Sequence, residues 1–439
     1  MKTITAIATP LMKCAIHIIR ISGDDAYEIV NSIIDKPITK EPYKISRANI
    51  YDNGELVDDV LLLKYVAPKS YTGEDMVEIT CHGSVYVAKK ILSLLIEHGA
   101  SMADHGEFTK RAFLNNKITL LQAEGINNVI NSNSEKSLKI ANKCTNKKMS
   151  DWIQKMADDL FKITGQIEVN IDYPEYDDVP QITVSDMKSK INQIINNLKK
   201  IINDSKEVIP LLNGIDVAIV GSPNAGKSSL LNAFLKQNVA IVSNVPGTTR
   251  DIIQYSVVID GITYNFIDTA GIHKPTDKIE KVGINKSKEA IKKAKLILFV
   301  IDGSKKENED TKKIYQLIKS KPHIIVLNKS DLTKKVEING ISVCAKKQEI
   351  KNLIEAIIEK SQSINSNIET LLPSEKDISL AKNVIKILKD CMNEINNNQP
   401  IDLLNEYFHK AHQQLLTIIG KTENFNFIDQ LFKSFCVGK

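Results

Sequence analysis

At 439 residues the chain exceeds one ordinary domain, and a prior of about 150 residues per domain gives about three. Its 42% hydrophobic and 25% charged residues are the balance of a core-forming protein rather than a disordered one, and no run approaches the roughly 20 apolar residues that cross a bilayer. The net charge of +5 is too small to argue nucleic-acid binding, and its surplus, which falls in residues 213–365, suits either a polyanionic ligand or a solvated surface.

The first ten residues lack the apolar stretch of a signal peptide. Cys14, Cys81, Cys144, Cys344, Cys391 and Cys436 are scattered without a CxxC pair, which argues against a zinc ribbon or disulfide framework. A cytoplasmic protein with no membrane association is expected. In residues 1–116, short β-rich runs at 14–21, 60–66 and 76–81 alternate with a helical stretch over 85–97, an α/β pattern. From 117 to 212 strand signals fade, and Met187, Ile191, Ile194, Ile195, Leu198, Ile201 and Ile202 form one helical stripe.

Residues 213–365 return to alternation. Apolar runs at 217–220, 264–267, 296–301 and 324–327 are separated by helix-compatible stretches, which predicts a doubly wound, mostly parallel sheet. Residues 366–439 are helical again, with apolar spacing over 378–395 and 403–419. Helices on both sides of an α/β module predict a domain inserted into one helical domain, against the alternative of two unrelated helical pieces.

Residues 221–229 read GSPNAGKSS between a strand and a helix, the context that separates a P-loop from a chance match. Gly221 and Gly226 let backbone N–H groups converge on phosphate oxygens, with Asn224, Ala225 and Ser229 completing the cradle. Lys227 supplies charge to the β- and γ-phosphates, and the Ser228 hydroxyl suits magnesium. Asp268-Thr269-Ala270-Gly271 follows a strand and can serve the magnesium shell and the γ-phosphate. Asn328-Lys329-Ser330-Asp331 follows another; the Asp331 carboxylate can accept both guanine N–H groups, which selects GTP over ATP. Cys344-Ala345-Lys346 lies where a backbone N–H would reach the guanine O6.

The residue after DTAG is Ile272, which cannot orient water as a glutamine there does in many small GTPases. Gly247-Thr248-Thr249-Arg250 reads as the switch segment, with Thr249 a second magnesium ligand, and Ser243, Asn244, Val245 and Pro246 just before it are counted with the nucleotide site. Asn224, Thr248 and backbone carbonyls near Ser243 and Val245 could cage a potassium ion; the lesser reading of Asn224, taken alone, is an ordinary loop amide.

With these residues in hand, the chain resembles the tRNA modification GTPase MnmE (TrmE) family nearly end to end. The resemblance is carried by Ile19-Arg20-Ile21-Ser22-Gly23, Tyr71-Thr72-Gly73-Glu74-Asp75, Gly106-Glu107-Phe108, Arg111 to Asn115, Gln122-Ala123-Glu124 and the tail Phe435-Cys436-Val437-Gly438-Lys439. It implies an N-terminal dimerisation domain that binds a 5-formyl- or methylene-tetrahydrofolate, with Arg20, Glu78, Lys117 and Lys439 at the folate positions. It implies a homodimer, and a heterotetramer with a FAD-dependent partner, MnmG (GidA), that modifies carbon 5 of the tRNA wobble uridine. It also implies potassium-dependent hydrolysis, with Glu280 orienting water alongside Lys227 and Asn224. Outside that context Arg20, Glu78 and Lys117 would be read as surface ion pairs, and Glu280 as an exposed helix carboxylate.

The chain departs from the family's pattern at Leu11-Met12-Lys13-Cys14, where a glycine-rich turn is usual, and at Thr119, Cys344 and Lys346-Lys347-Gln348. The first departure bears on the folate pocket. It keeps open a member that hydrolyses GTP without using folate. The other class of reading is a GTP-switched RNA- or ribosome-binding factor without folate chemistry.

Overall fold

The computed structural model describes residues 1–172, 183–236, 241–242, 254–268, 291–292, 294–306, 309–361, 370–397, 399–422, 432 and 435–438. By packing, the chain divides into two compact units. One comprises Met1–Asn127, Lys147–Ile195 and Leu380–Lys439; the other comprises Asn128–Asn146 and Asn196–Ser379.

The first unit opens with a sheet built from β1 (Ile4–Ile7), β2 (Ile16–Ser22), β3 (Ile45–Asp52), β4 (Glu55–Tyr65), β5 (Met76–His82) and β6 (Ser101–Met102), in the order β3-β4-β5-β2-β1-β6. Its pairings are antiparallel except β1 with β6. Alternation along β2 and β5 sends Ile19, Ile21, Val77, Ile79 and Cys81 to one buried face. That face is covered by α1 (Ala26–Asn31) and α2 (Val85–Glu97), whose Ala88, Ile91, Leu94 and Leu95 lie at helical spacing.

Next come α3 (Glu107–Leu114), α4 (Leu120–Ile130), α5 (Glu135–Cys144), α6 (Lys148–Asp172) and α7 (Val184–Asn213). Phe432 and Phe435 pack with Leu120 and Ala123 of α4, so residues distant in sequence close one small core.

In the second unit the strands are β7 (Ile215–Val220), β8 (Ile241–Val242), β9 (Gln254–Ile259), β10 (Ile262–Asp268), β11 (Leu296–Asp302), β12 (His323–Asn328) and β13 (Ile341–Val343). Their order is β13-β12-β11-β7-β10-β9-β8. The ladder is parallel from β13 to β10 and antiparallel through β9 and β8. This is the mostly parallel, doubly wound sheet the alternation predicts. Its described helices are α8 (Lys227–Lys236), α9 (Glu309–Ile318) and α10 (Lys351–Ser361). The β11 side chains are buried throughout, as a strand covered on both faces requires.

Two helices that precede β7 contribute to the same core. Ile140 and Cys144 of α5 and Val208 and Leu211 of α7 pack with Val217, Tyr264 and Phe266. Ser134 and Ser137 start α5 with a reciprocal capping box. Two further helices, α11 (Glu375–Asn396) and α12 (Ile401–Ile418), follow, and α12 packs along α6 within the first unit.

Candidate functional site

β7 delivers the chain from the sheet interior into the loop at Gly221, and α8 begins at Lys227. Gly226 has φ +94°, and a Cβ there would stand 2.1 Å from the Asn328 side-chain nitrogen, so no other residue fits. Lys227 Nζ donates to the Gly221 and Ser222 carbonyls at 2.9 Å each, which holds the ammonium over the loop. Asn224 is exposed with φ +61°. Ser228 and Ser229 are exposed on the first turn of α8, and Ala225 is fully buried. Loop amides, a helix start, a lysine and a hard oxygen donor together fit a phosphate chain carrying a divalent cation.

Asn328 ends β12, with register partners Asp302 on β11 and Val343 on β13. Its side chain is buried. Nδ2 donates to the Ala225 carbonyl at 2.9 Å, and Oδ1 accepts the Ala345 N–H at 3.1 Å. One amide therefore ties the phosphate loop, the 328–331 turn and the Cys344-Ala345-Lys346 turn together. Lys329, at φ +66°, reaches Asp302 Oδ2 at 2.7 Å. Asp302 also accepts from the Ser304 amide at 3.1 Å and hydroxyl at 2.6 Å. Burial works to raise the Asp302 pKa, but the hydrogen bonds from Lys329 and Ser304 outweigh it and hold the carboxyl below its ordinary value. Ser330 donates its backbone N–H to the Val343 carbonyl at 3.1 Å. Asp331 is exposed at the end of this turn.

Asp302 was not singled out by any motif. The apolar run of β11 stops at Ile301, and only the following Gly303 hints that the chain turns at the carboxyl end of a strand. Asp268 closes β10 with Ile219 of β7 as its register partner, which starts the DTAG segment one strand from the phosphate loop. Ser243, Asn244, Val245, Pro246, Gly247, Thr248, Thr249, Thr269, Ala270, Gly271, Glu280 and Lys439 lie outside the described residues.

In the first unit, Arg20 and Glu78 are register partners on β2 and β5. Arg20 Nε donates to Glu78 Oε1 at 2.7 Å and Nη1 to the Gly438 carbonyl at 3.0 Å. The Tyr65 hydroxyl donates to Glu78 Oε2 at 3.3 Å, and the Arg20 guanidinium lies 5.9 Å from the Tyr71 ring centroid. Lys117 Nζ donates to the Pro68 carbonyl at 2.8 Å, on the loop that carries Tyr71. Arg20, Glu78 and the tail are thus brought together, and Lys117 reaches the adjoining loop.

Two other motifs of this unit, around Glu74 and Arg111, serve its architecture. The buried Arg111 guanidinium binds Glu74 at 3.1 Å, Glu107 at 2.9 Å and the Lys2 carbonyl at 2.7 Å, and Ser22 donates to Glu74 at 2.8 Å. A buried charge so fully partnered is the arrangement that burial demands. Among the described residues, no group of three or more His, Cys, Asp or Glu side chains could hold a metal ion. Within them, no helix is long and apolar enough to cross a membrane.

A parallel sheet whose central strand feeds a glycine-bounded loop and a lysine at a helix start defines the class of P-loop nucleoside-triphosphate-binding proteins. Residues 3–117 match the family described as GTP-binding protein TrmE N-terminus, and residues 120–436 match the MnmE helical domain. The tRNA modification GTPase MnmE of Malacoplasma penetrans is 47% identical over 441 residues, covering 100% of this chain and 99% of that one. The protein of the same name from Ureaplasma parvum serovar 3 is 41% identical over 442 residues, and that from Thermotoga petrophila 37% over 453, each covering 100% of both chains. The chain belongs to the tRNA modification GTPase MnmE family.

Proposed function

We propose that this chain is a GTPase acting in tRNA modification, and that it hydrolyses GTP between the 221–229 loop and the 328–331 turn. The observation that carries the reading is the buried Asn328 amide. It fixes the phosphate loop and the turn bearing Asp331 in one rigid frame, as a pocket that reads triphosphate and base together requires. In this reading Lys227 exchanges its loop carbonyls for β- and γ-phosphate oxygens, and the loop N–H groups hold the negative charge that grows as water attacks in line.

Magnesium would be held by Ser228 and Thr249, and potassium by Asn224, Thr248 and the carbonyls of Ser243 and Val245. Bound there, these cations would neutralise charge on the β–γ bridge. The exposed Ser228 hydroxyl and Asn224 amide are suitable oxygen donors. Glu280 is assigned to orient the water, because Ile272 offers no polar atom.

The finer biochemical reading is a homodimer that works in the cytoplasm with a FAD-dependent MnmG partner on carbon 5 of the wobble uridine. It uses a tetrahydrofolate one-carbon unit held by Arg20, Glu78, Lys117 and Lys439. The Arg20–Glu78–Gly438 contacts support it, since they gather a cation and a carboxylate beside the tail. Arg20 and Lys117 suit the glutamate tail of a folate, and Glu78 suits pterin amines.

Replacing Asp331 with Asn tests the central claim. An amide turns one acceptor into a donor facing guanine's own N–H groups, while matching the extra carbonyl of xanthine. GTP affinity should fall by roughly 100-fold or more, with xanthosine triphosphate preferred. Unchanged guanine preference in a nucleotide titration would refute the assignment.

A further inference from the structure

Of the six cysteines, Cys81, Cys144, Cys344 and Cys391 are buried, while Cys14 and Cys436 are exposed. Burial pushes the Cys81 thiol up to about 11 and the Cys391 thiol up to about 12, which keeps both protonated and inert at neutral pH. Cys14 stands in a different environment. Its sulfur lies 3.7 Å from each ring nitrogen of His17 and 3.0 Å from the Ile16 carbonyl.

The His17 ring is fully buried on β2, and its Nδ1 sits 2.8 Å from Thr9 Oγ1. Thr9 Oγ1 in turn accepts the Ile18 backbone N–H at 3.3 Å. A thiol, an imidazole within reach of it and a third group that fixes the imidazole are the parts of an activated nucleophile. In the tautomer that donates Nδ1–H to Thr9, Nε2 is the unprotonated nitrogen, and the sulfur lies 3.7 Å from it. Cys14 itself and its sequence neighbours Leu11, Met12, Lys13 and Ile16 are exposed, so a small molecule can reach the sulfur. The Cys14 backbone is itself pinned by its N–H to the Gly83 carbonyl at 3.2 Å.

We propose that Cys14 is a modification site, a His17-assisted thiol that takes part in exchange with low-molecular-weight disulfides. The thiol proton, which the Ile16 carbonyl accepts at rest, passes to His17 Nε2 as Sγ attacks one sulfur of the disulfide. A Cys14–S bond forms, the disulfide's S–S bond breaks, and the departing thiolate takes the proton from the imidazolium. Cys14 is oxidised to a mixed disulfide and one equivalent of small thiol is released. This chemistry is independent of GTP hydrolysis. It gives a chemical role to the segment where this chain departs from the family's glycine-rich turn.

The test uses the full-length protein, the aromatic disulfide 5,5′-dithiobis(2-nitrobenzoate) as probe, and Cys436 as the internal comparison. Absorbance of the released thiolate gives the rates, and peptide mass mapping assigns them. Cys14 is expected to react roughly tenfold or more faster than Cys436. The fast phase should vanish in Cys14→Ser, slow towards the Cys436 rate in His17→Gln, slow in Thr9→Val and return in Thr9→Ser. His17 is buried, so if His17→Gln does not fold, the Thr9 pair decides. Equal rates at the two cysteines, or a fast phase untouched by Thr9→Val, overturns the proposal.

Discussion

The Asn328 side chain bonds two main-chain groups that no water reaches. Replacing it with Ala leaves the Ala225 carbonyl and the Ala345 N–H without their partner, and each unsatisfied buried group costs about 1–3 kcal/mol. Thermal unfolding of Asn328→Ala should therefore show a loss of that order, and GDP affinity measured by fluorescence titration should fall with it. The Asn328-Lys329-Ser330-Asp331 motif was legible in the sequence, but the division of labour inside it was not. Spacing cannot show that Asn328 faces Ala225, which lies 103 residues earlier, or that Lys329 pairs with Asp302.

That ion pair carries its own pH signature. The Asp302 carboxyl titrates below its ordinary value in the fold, against about 3.9 in an unfolded chain. Its contribution is fully present above the unfolded value and is lost as pH falls through the folded one. The melting-temperature difference between the parent and Asp302→Asn should be constant above about pH 5 and shrink below about pH 4. A difference that stays flat through the acid range would show that the pair contributes nothing.

At the scale of elements, the parallel strands were the most readable feature, because β7, β11 and β12 are apolar runs covered on both faces. Their ends extend one or two residues past those runs, since Asp302 and Asn328 are polar yet complete the ladder. β1 and β3 were missed for different reasons. Ile4–Ile7 is only four residues long, and in Ile45–Asp52 the exposed face carries the apolar Ile45 and Tyr51, which blurs the period-two pattern. α7 was readable through its stripe over 187–202 but continues to Asn213 through Pro210.

The packing of α5 was not legible, because an amphipathic stripe does not name the surface it covers. Ile140 is 1% exposed within the core that holds Val217 and Tyr264, and Lys136 pairs with Asp260 at the β9–β10 turn at 2.8 Å. The surface pair contributes little; the core contact dominates. Ile140→Ala should lower stability by about 2–5 kcal/mol in denaturant unfolding. Because α8 shares that core through Leu230 and Phe234, nucleotide binding should weaken in the same variant.

For the molecule as a whole, contacts between residues far apart in sequence complete the first unit. Gly438 has φ +85°, and a Cβ on it would stand 2.8 Å from Ala8 Cα and 2.8 Å from the Ile7 carbonyl. Gly438→Ala should expel the tail from β1 and remove the backbone acceptor of Arg20. On the proposed folate reading, binding of 5-formyl-tetrahydrofolate, followed by calorimetry, should fall by roughly tenfold or more, since one charge-assisted hydrogen bond is worth about 1.5–3 kcal/mol. GTP turnover without a partner should be unchanged, because no residue of the 221–229 loop or the 328–331 turn is touched.

The hydrogen bond from Arg20 to Gly438 spans 418 positions. On a ribosome adding 5–20 residues per second, the arginine is made roughly 20–80 s before its acceptor exists. The nucleotide-binding sheet is synthesised inside that interval and can fold within it. Nascent chains halted before residue 438 should therefore retain guanine nucleotide while the Arg20 cluster still lacks its closing strap, so the nucleotide site matures before that cluster is complete.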